Sequence, residues 1–243
     1  MIIPILQRTI LFCSFIAAGY IAEAQFTYGP QINAGITNAL QSGAPAITDG
    51  VNSTIKTTSK ANANINVGLE VAYQFDQYWT VNSGVFYQYI QPTFKQNTSP
   101  STTITDKISY INIPLEIVHI NDALKKGWYY GIGANFGLGV AGNDTRATDG
   151  IAQTVHTSIK FDGEKDANDN YTHLNFLNMG ALLKVGYFFG KTFIGGEANL
   201  GLSNIAPNNN SRYKINTYSI HIGYMFGKKK TPVAAAVPKD VTP

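Results

Sequence analysis

Leu177-Asn178-Met179-Gly180-Ala181-Leu182-Leu183-Lys184-Val185-Gly186-Tyr187-Phe188-Phe189 breaks at Gly190-Lys191 and returns as Thr192-Phe193-Ile194-Gly195-Gly196-Glu197-Ala198-Asn199-Leu200-Gly201-Leu202. It reads as two β-strands joined by a tight hairpin. A two-residue turn puts Phe189 opposite Thr192, which sets Val185 opposite Gly196 and Lys184 opposite Glu197. Side chains alternate across a strand. One face therefore carries Leu177, Met179, Ala181, Leu183, Val185, Tyr187, Ile194, Ala198, Leu200 and Leu202, and the other carries an ion pair. Strands of about ten residues with this dyad period are what a transmembrane β-barrel requires.

Six further segments alternate in the same way, near residues 26–36, 65–75, 79–89, 108–118, 128–140 and 214–226. In the clearest, Trp128, Tyr130, Ile132, Ala134, Phe136, Leu138 and Val140 face outward against Gly131, Gly133, Asn135, Gly137 and Gly139. Inward glycine suits a narrow barrel, where inner side chains crowd one another. None of the outward faces carries Asp, Glu, Lys or Arg. A lysine or arginine at the bilayer midplane costs such a barrel about 2–4 kcal/mol. Aromatic residues gather at strand ends, as at Phe75 with Trp79, Tyr187 to Phe189, and Tyr224 with Phe226, where an interfacial girdle belongs. Three connections are short (residues 76–78, 119–127 and 190–191) and four are long and polar (37–64, 91–107, 141–175 and 203–213). The expected fold is thus all-β, an eight-stranded antiparallel up-and-down transmembrane β-barrel over residues 25–226, with tight turns on the periplasmic side and long loops outside. The three-residue turn Asp76-Gln77-Tyr78 sets Glu70 opposite Gly84, leaving room for its carboxylate inside. Pro30 and Pro114 each remove a ladder donor, so bulges are expected there.

Residues 1–24 read as a secretory signal peptide, with Arg8 at its start, an apolar core from Ile10 to Tyr20, and Ala22-Glu23-Ala24 before Gln25 as the cleavage site. Cys13, the single cysteine, lies inside it, so the mature chain is expected to have no lipid anchor, no disulfide and no cysteine-based metal site. Mean hydropathy is −0.07 and charged residues make up only 14% of the chain, against about 25% in soluble domains. The net charge of +3 gives no argument for nucleic-acid binding. Residues 227–243, rich in Lys, Ala and Pro and including Lys228-Lys229-Lys230, read as an extended periplasmic tail.

The segments 108–120, 128–140 and 177–202, with Ser109-Tyr110-Ile111-Asn112-Ile113-Pro114-Leu115 as the most telling piece, resemble the PorT-like outer-membrane β-barrel family of Gram-negative bacteria. The resemblance implies an eight-stranded barrel. It also implies, from some members, a link to protein secretion and surface assembly. It brings no catalytic motif.

Among inward residues, Glu70, Glu116, Lys184, Glu197 and His221 stand out. They read as a structural network filling the lumen, because eight strands leave an interior just wide enough for side chains; the competing reading is a proton- or ion-conducting lining. Three carboxylates face one lysine, a deficit that His221 or an inward lysine or arginine from a loop is expected to complete. Ser219 and His221 share a face at roughly 7 Å, too far apart for direct proton transfer. The run Asp162 to Asn170 is carboxylate-rich but departs from the calcium-loop pattern, because Gly163 falls too early, and reads as solvated loop; His156 and His173 are distant from each other in sequence. The expectation is a non-enzymatic barrel with no catalytic residues, no cofactor and no metal. Its partners are outer-membrane lipid and, through loops or tail, envelope or secretion proteins. The long loops would serve binding, or the barrel would support envelope integrity or secretion. A lipid-modifying barrel enzyme and a narrow pore for small solutes are the alternatives.

Overall fold

A strand inside hydrocarbon has no water to satisfy its backbone, so a sheet there must close on itself. The computed structural model describes residues 26–42, 57–96, 99–121, 126–164, 171–207 and 212–227. The expected signal peptide and nearly all of the expected tail lie outside them. Twelve strands follow in order: β1 (Phe26–Ser42), β2 (Thr57–Lys60), β3 (Asn62–Gln74), β4 (Trp79–Ile90), β5 (Thr93–Gln96), β6 (Thr102–Ile120), β7 (Lys126–Thr148), β8 (Val155–Lys160), β9 (Thr172–His173), β10 (Leu177–Phe189), β11 (Thr192–Gly201) and β12 (Arg212–Tyr224). Eight of them run β6-β4-β3-β1-β12-β11-β10-β7, and pairing of β6 with β7 closes the ring. Every pairing within the ring is antiparallel.

The expectation of eight strands therefore captures the ring and misses β2, β5, β8 and β9, which lie in stretches expected to be loops. Beyond the membrane the outward positions become polar, as at Thr103, Thr105 and Lys107 on β6, and the apolar alternation that betrays a lipid-facing strand ends. On β7 a second cause adds to this. The register against β6 shifts between Ser109↔Ala141 and Tyr110↔Gly139, so Val140 is an extra residue and the inward parity changes from odd to even numbers. That bulge turns Asp144 inward, opposite Asp106.

The hairpin register agrees with the turn-length reading, with Lys184 opposite Glu197 and Glu70 opposite Gly84. The prolines are accommodated differently from expectation. Around Pro114 the β4–β6 ladder has a gap between Ser83↔Leu115 and Phe86↔Asn112 with no change of register, and Ser83 Oγ donates to the Pro114 carbonyl at 2.8 Å. At Pro30 the seam with β12 is interrupted between the Tyr28↔Phe226 bridge and Gln31↔Gly223. A missing donor thus costs a local gap instead of an inserted residue.

Outward side chains such as Leu69, Val85, Ile132, Ile220 and Leu115 are exposed and apolar, as lipid contact demands. Aromatic pairs ring the short-turn end, including Trp128 with Tyr187 at 5.6 Å and Tyr28 with Phe226 at 5.9 Å between centroids. The interior is layered. Near the short turns, Ala72, Val118, Ile120, Tyr129, Phe188, Phe193 and Met225 form an apolar plug. At the loop end Ala39, Ile90, Phe94, Ile104, Ile108, Tyr110, Ile159, Leu174, Ile205 and Tyr213 form a second, with Phe161 packed against it. Between them lies a polar belt.

Glycine on β7 makes room for this interior. A Cβ on Gly133 would sit 2.2 Å from the Leu115 carbonyl oxygen and 2.9 Å from Glu116 Cγ, whereas one on Gly196 would meet nothing within 4 Å. Gly133→Ala should therefore lower barrel stability by about 1–3 kcal/mol while Gly196→Ala leaves it nearly unchanged, as read by urea unfolding in lipid vesicles.

Candidate functional site

The polar belt is organised around one lysine. Lys184 Nζ lies 2.8 Å from Glu116 Oε1, 3.5 Å from Glu70 Oε2 and 3.5 Å from Glu197 Oε2. All four side chains are at least nine-tenths buried. Glu197 is the cross-strand neighbour of Lys184, yet Glu116 on β6 is closer, although β7 stands between β6 and β10. The positions on β7 that separate them are Gly131, opposite Lys184, and Gly133, opposite Glu116. With no side chain at either, lysine and glutamate meet across the intervening strand.

Amides supply donors to two of the three carboxylates, while Glu116 relies on its ion pair with Lys184. Asn82 Nδ2 donates to Glu70 Oε1 at 2.7 Å and Asn33 Nδ2 to Glu197 Oε2 at 3.2 Å. A chain of amides then follows the wall, Asn135 to Asn112 to Gln88 to Asn64, with separations of 3.3, 2.8 and 3.0 Å. Buried carboxylates are tolerated only when charge and hydrogen-bond partners converge on them in this way.

His221 stands apart from the expectation that it completes the charge balance. Its Nε2 is hydrogen-bonded to the Tyr129 hydroxyl, and its ring packs 5.8 Å from that of Phe193, within the short-turn plug. No inward lysine or arginine from a loop joins the cluster among the described residues; Lys184 is its one cation there. Ser219 and His221 both face the closed interior, and the only side-chain partner of His221 Nε2 among the described residues is Tyr129. The belt leaves small cavities of about 10 Å³ beside Lys184 and Glu197 and beside Glu70, each with room for roughly one water.

Two groupings at the loop end escape sequence reasoning. Asp106 and Asp144 face each other in the part of the barrel beyond the lipid band. Tyr213 donates its hydroxyl to Asp106 Oδ2 at 2.7 Å, and Arg146 Nε donates to Asp144 Oδ2 at 2.8 Å. Burial, with the neighbouring Asp144 charge, pushes the Asp106 carboxyl up to about 7, against the opposing pull of the Tyr213 hydrogen bond. The second grouping involves the start of the 162–170 run, whose residues 165–170 lie outside the described residues: His173 Nδ1 comes within 2.7 Å of the exposed Asp162 Oδ1 and 4.0 Å of the exposed Glu164 Oε2. Sequence distance hid this contact, which depends on the parallel pairing of β8 with β9. His156 lies elsewhere, with its Nδ1 3.3 Å from Thr145 Oγ1.

Residues 22–207 match the outer membrane protein beta-barrel domain family, and the chain belongs to it. The protein resides in the outer membrane. No curated protein matches the sequence. Similar solved structures include the attachment invasion locus protein Ail of Yersinia pestis, 13% identical over 83% of this chain and 99% of that one, with a TM-score of 0.39. OprG of Pseudomonas aeruginosa is 12% identical over 84% and 97% of the two chains, with a TM-score of 0.43. Neisserial surface protein A is 11% identical over 82% and 97%, with a TM-score of 0.39.

Removing the one cation should be costly. Lys184→Met is expected to destabilise the barrel by about 3–5 kcal/mol. Combining it with Glu116→Gln should recover more of that loss than combining it with Glu197→Gln, as the shorter separation requires; double-mutant cycles on urea unfolding measure both couplings.

Asp106 predicts a pH dependence. Its folded-state value of about 7 exceeds the ordinary 3.8, so between these limits the folded barrel holds a proton that the unfolded chain has released. Stability from this group is full below about pH 4, falls as pH rises to about 7, and is level above it. Asp106→Asn should flatten that slope and raise stability at pH 8 relative to wild type, as followed by unfolding midpoints between pH 4 and 8.

Proposed function

We propose that this member of the outer-membrane β-barrel family is a closed, non-catalytic barrel whose long-loop end is a binding platform for envelope or secreted proteins. The observation that carries this reading is the layered interior. Apolar plugs lie at both ends of a polar belt whose cavities beside Lys184 and Glu70 admit about one water each, so the described residues leave a solute no continuous aqueous path. Loop segments add to the outer seal. Ile205 and Ala206 are buried in the loop-end plug, and Asn175 Nδ2 donates to the carbonyls of Asn204 and Ala206 at 2.9 and 3.1 Å.

The same enclosure argues against a hydrolase or acyltransferase built on Ser219 and His221. His221 is almost wholly buried and engages Tyr129, away from the lipid such an enzyme would have to reach. What the barrel shows the outside is its extension beyond the membrane, with β2, β5, β8 and β9 stiffening the long connections into a platform. The PorT-like resemblance adds the class of role: support for protein secretion and surface assembly, with recognition by these loops.

In planar lipid bilayers the folded protein should give no discrete current steps, and a deletion strain should lose surface-exported proteins while small-solute uptake stays at the wild-type level. Reproducible single-channel currents, or a deletion phenotype confined to solute uptake, would replace this reading with the narrow pore.

A further inference from the structure

The loop end also brings together an imidazole and two carboxylates that the closed barrel does not need. We infer that Asp162, Glu164 and His173 form a binding site for a divalent first-row transition cation of the zinc type. Their donor atoms, drawn from two separate chain segments, lie within 4.8 Å of one another.

His173 distinguishes this group from an ordinary acidic turn. Its side chain is only 5% exposed, and its Nδ1 is aimed at the carboxylates. In the parallel β8–β9 pair His173 stands opposite Lys160, and the next residue, Leu174, belongs to the loop-end apolar plug. The carboxylates, by contrast, are 42% and 60% exposed and can adjust. One fixed nitrogen facing two adaptable oxygens, with solvent on the open side, is the arrangement of a site that keeps a position for water.

The backbone fixes the spacing of the two segments. Gly163 N donates to the Leu174 carbonyl at 3.1 Å, and Leu174 N donates to the Lys160 carbonyl at 2.9 Å. Gly163, between the two acids, has a left-handed φ of +70°, and a Cβ there would come 3.0 Å from Asn175 Oδ1. Ligands at about 2.0–2.2 Å from a tetrahedral zinc stand roughly 3.3–3.5 Å apart. The two His173 separations of 2.7 and 4.0 Å bracket that value, and the carboxylate oxygens lie within 4.8 Å of each other, so side-chain adjustment on the order of an ångström or two would complete the set.

The donor chemistry selects the ion. Calcium and magnesium favour shells made of oxygen alone, whereas imidazole with carboxylates suits zinc and its neighbours. Two carboxylates also neutralise a dication. The site is independent of whether the lumen conducts.

Calorimetric titration of the folded barrel, purified without a polyhistidine tag in detergent and chelator-free buffer at pH 7.5, tests the assignment with Zn²⁺ as the probe. One Zn²⁺ per barrel is expected. Affinity should weaken at least tenfold in Glu164→Gln and in His173→Gln, hold in His156→Gln, and resist millimolar Ca²⁺ or Mg²⁺. Absence of Zn²⁺ binding, unchanged affinity in Glu164→Gln, or displacement by Ca²⁺ would overturn the site. If His173→Gln does not fold, as judged by loss of heat-modifiable migration, the solvent-facing Glu164→Gln decides alone.

Discussion

Closure of β6 onto β7 is the constraint from which the rest of the molecule follows. An open edge in hydrocarbon would leave a row of unsatisfied N–H and C=O groups, each costing several kcal/mol, so the ring must be complete. Closing eight strands fixes a narrow interior, and that interior must then be filled. Glycine at 131 and 133, amides along the wall and a single lysine are the filling this geometry accepts. Even the prolines obey the ring. The gap beside Pro114 is patched by Ser83 without shifting register, because a shift there would turn every following side chain to the wrong face.

The interior charge follows from the same narrowness. Lys184 reaches Glu116 across β7 where that strand presents only Gly131 and Gly133, and Glu70 and Glu197 close around it. A buried cation with three acidic neighbours is a poor source of net stability, since desolvation offsets much of the attraction. It is a strong source of specificity, because any slip of register separates the charges. The apolar plugs on either side keep water from relieving that requirement.

Beyond the membrane the rules relax, and chemistry becomes available. Water can satisfy an edge there, so short strands add to the sheet without closing it, and β8 pairs with β9 in parallel over two residues. That small irregular piece brings His173 to Asp162 and Glu164. The bulge at Val140 likewise turns Asp144 toward Asp106, giving the loop end a buried acidic pair in which Asp106 answers to pH. The proposed recognition surface and the proposed ion site thus both lie at the end where the fold is free to vary, while the lipid-embedded ring is committed to closure.

The sequence by itself determined the ring. Uncharged alternating faces reveal lipid contact because a charge in hydrocarbon is excluded whatever the neighbours, and the two-residue turn Gly190-Lys191 fixes its own register by local geometry. Both are properties of single strands or adjacent pairs. Tertiary structure decided what depends on strands that are not neighbours or not in lipid: Glu116 as the closest partner of Lys184, Tyr129 as the partner of His221, the strands beyond Val140, and the meeting of His173 with Asp162. Sequence pattern cannot carry these. The curvature of a closed barrel brings together residues whose separation along the chain bears no fixed relation to their separation in space, and outside the membrane no exclusion of charge marks which face points inward.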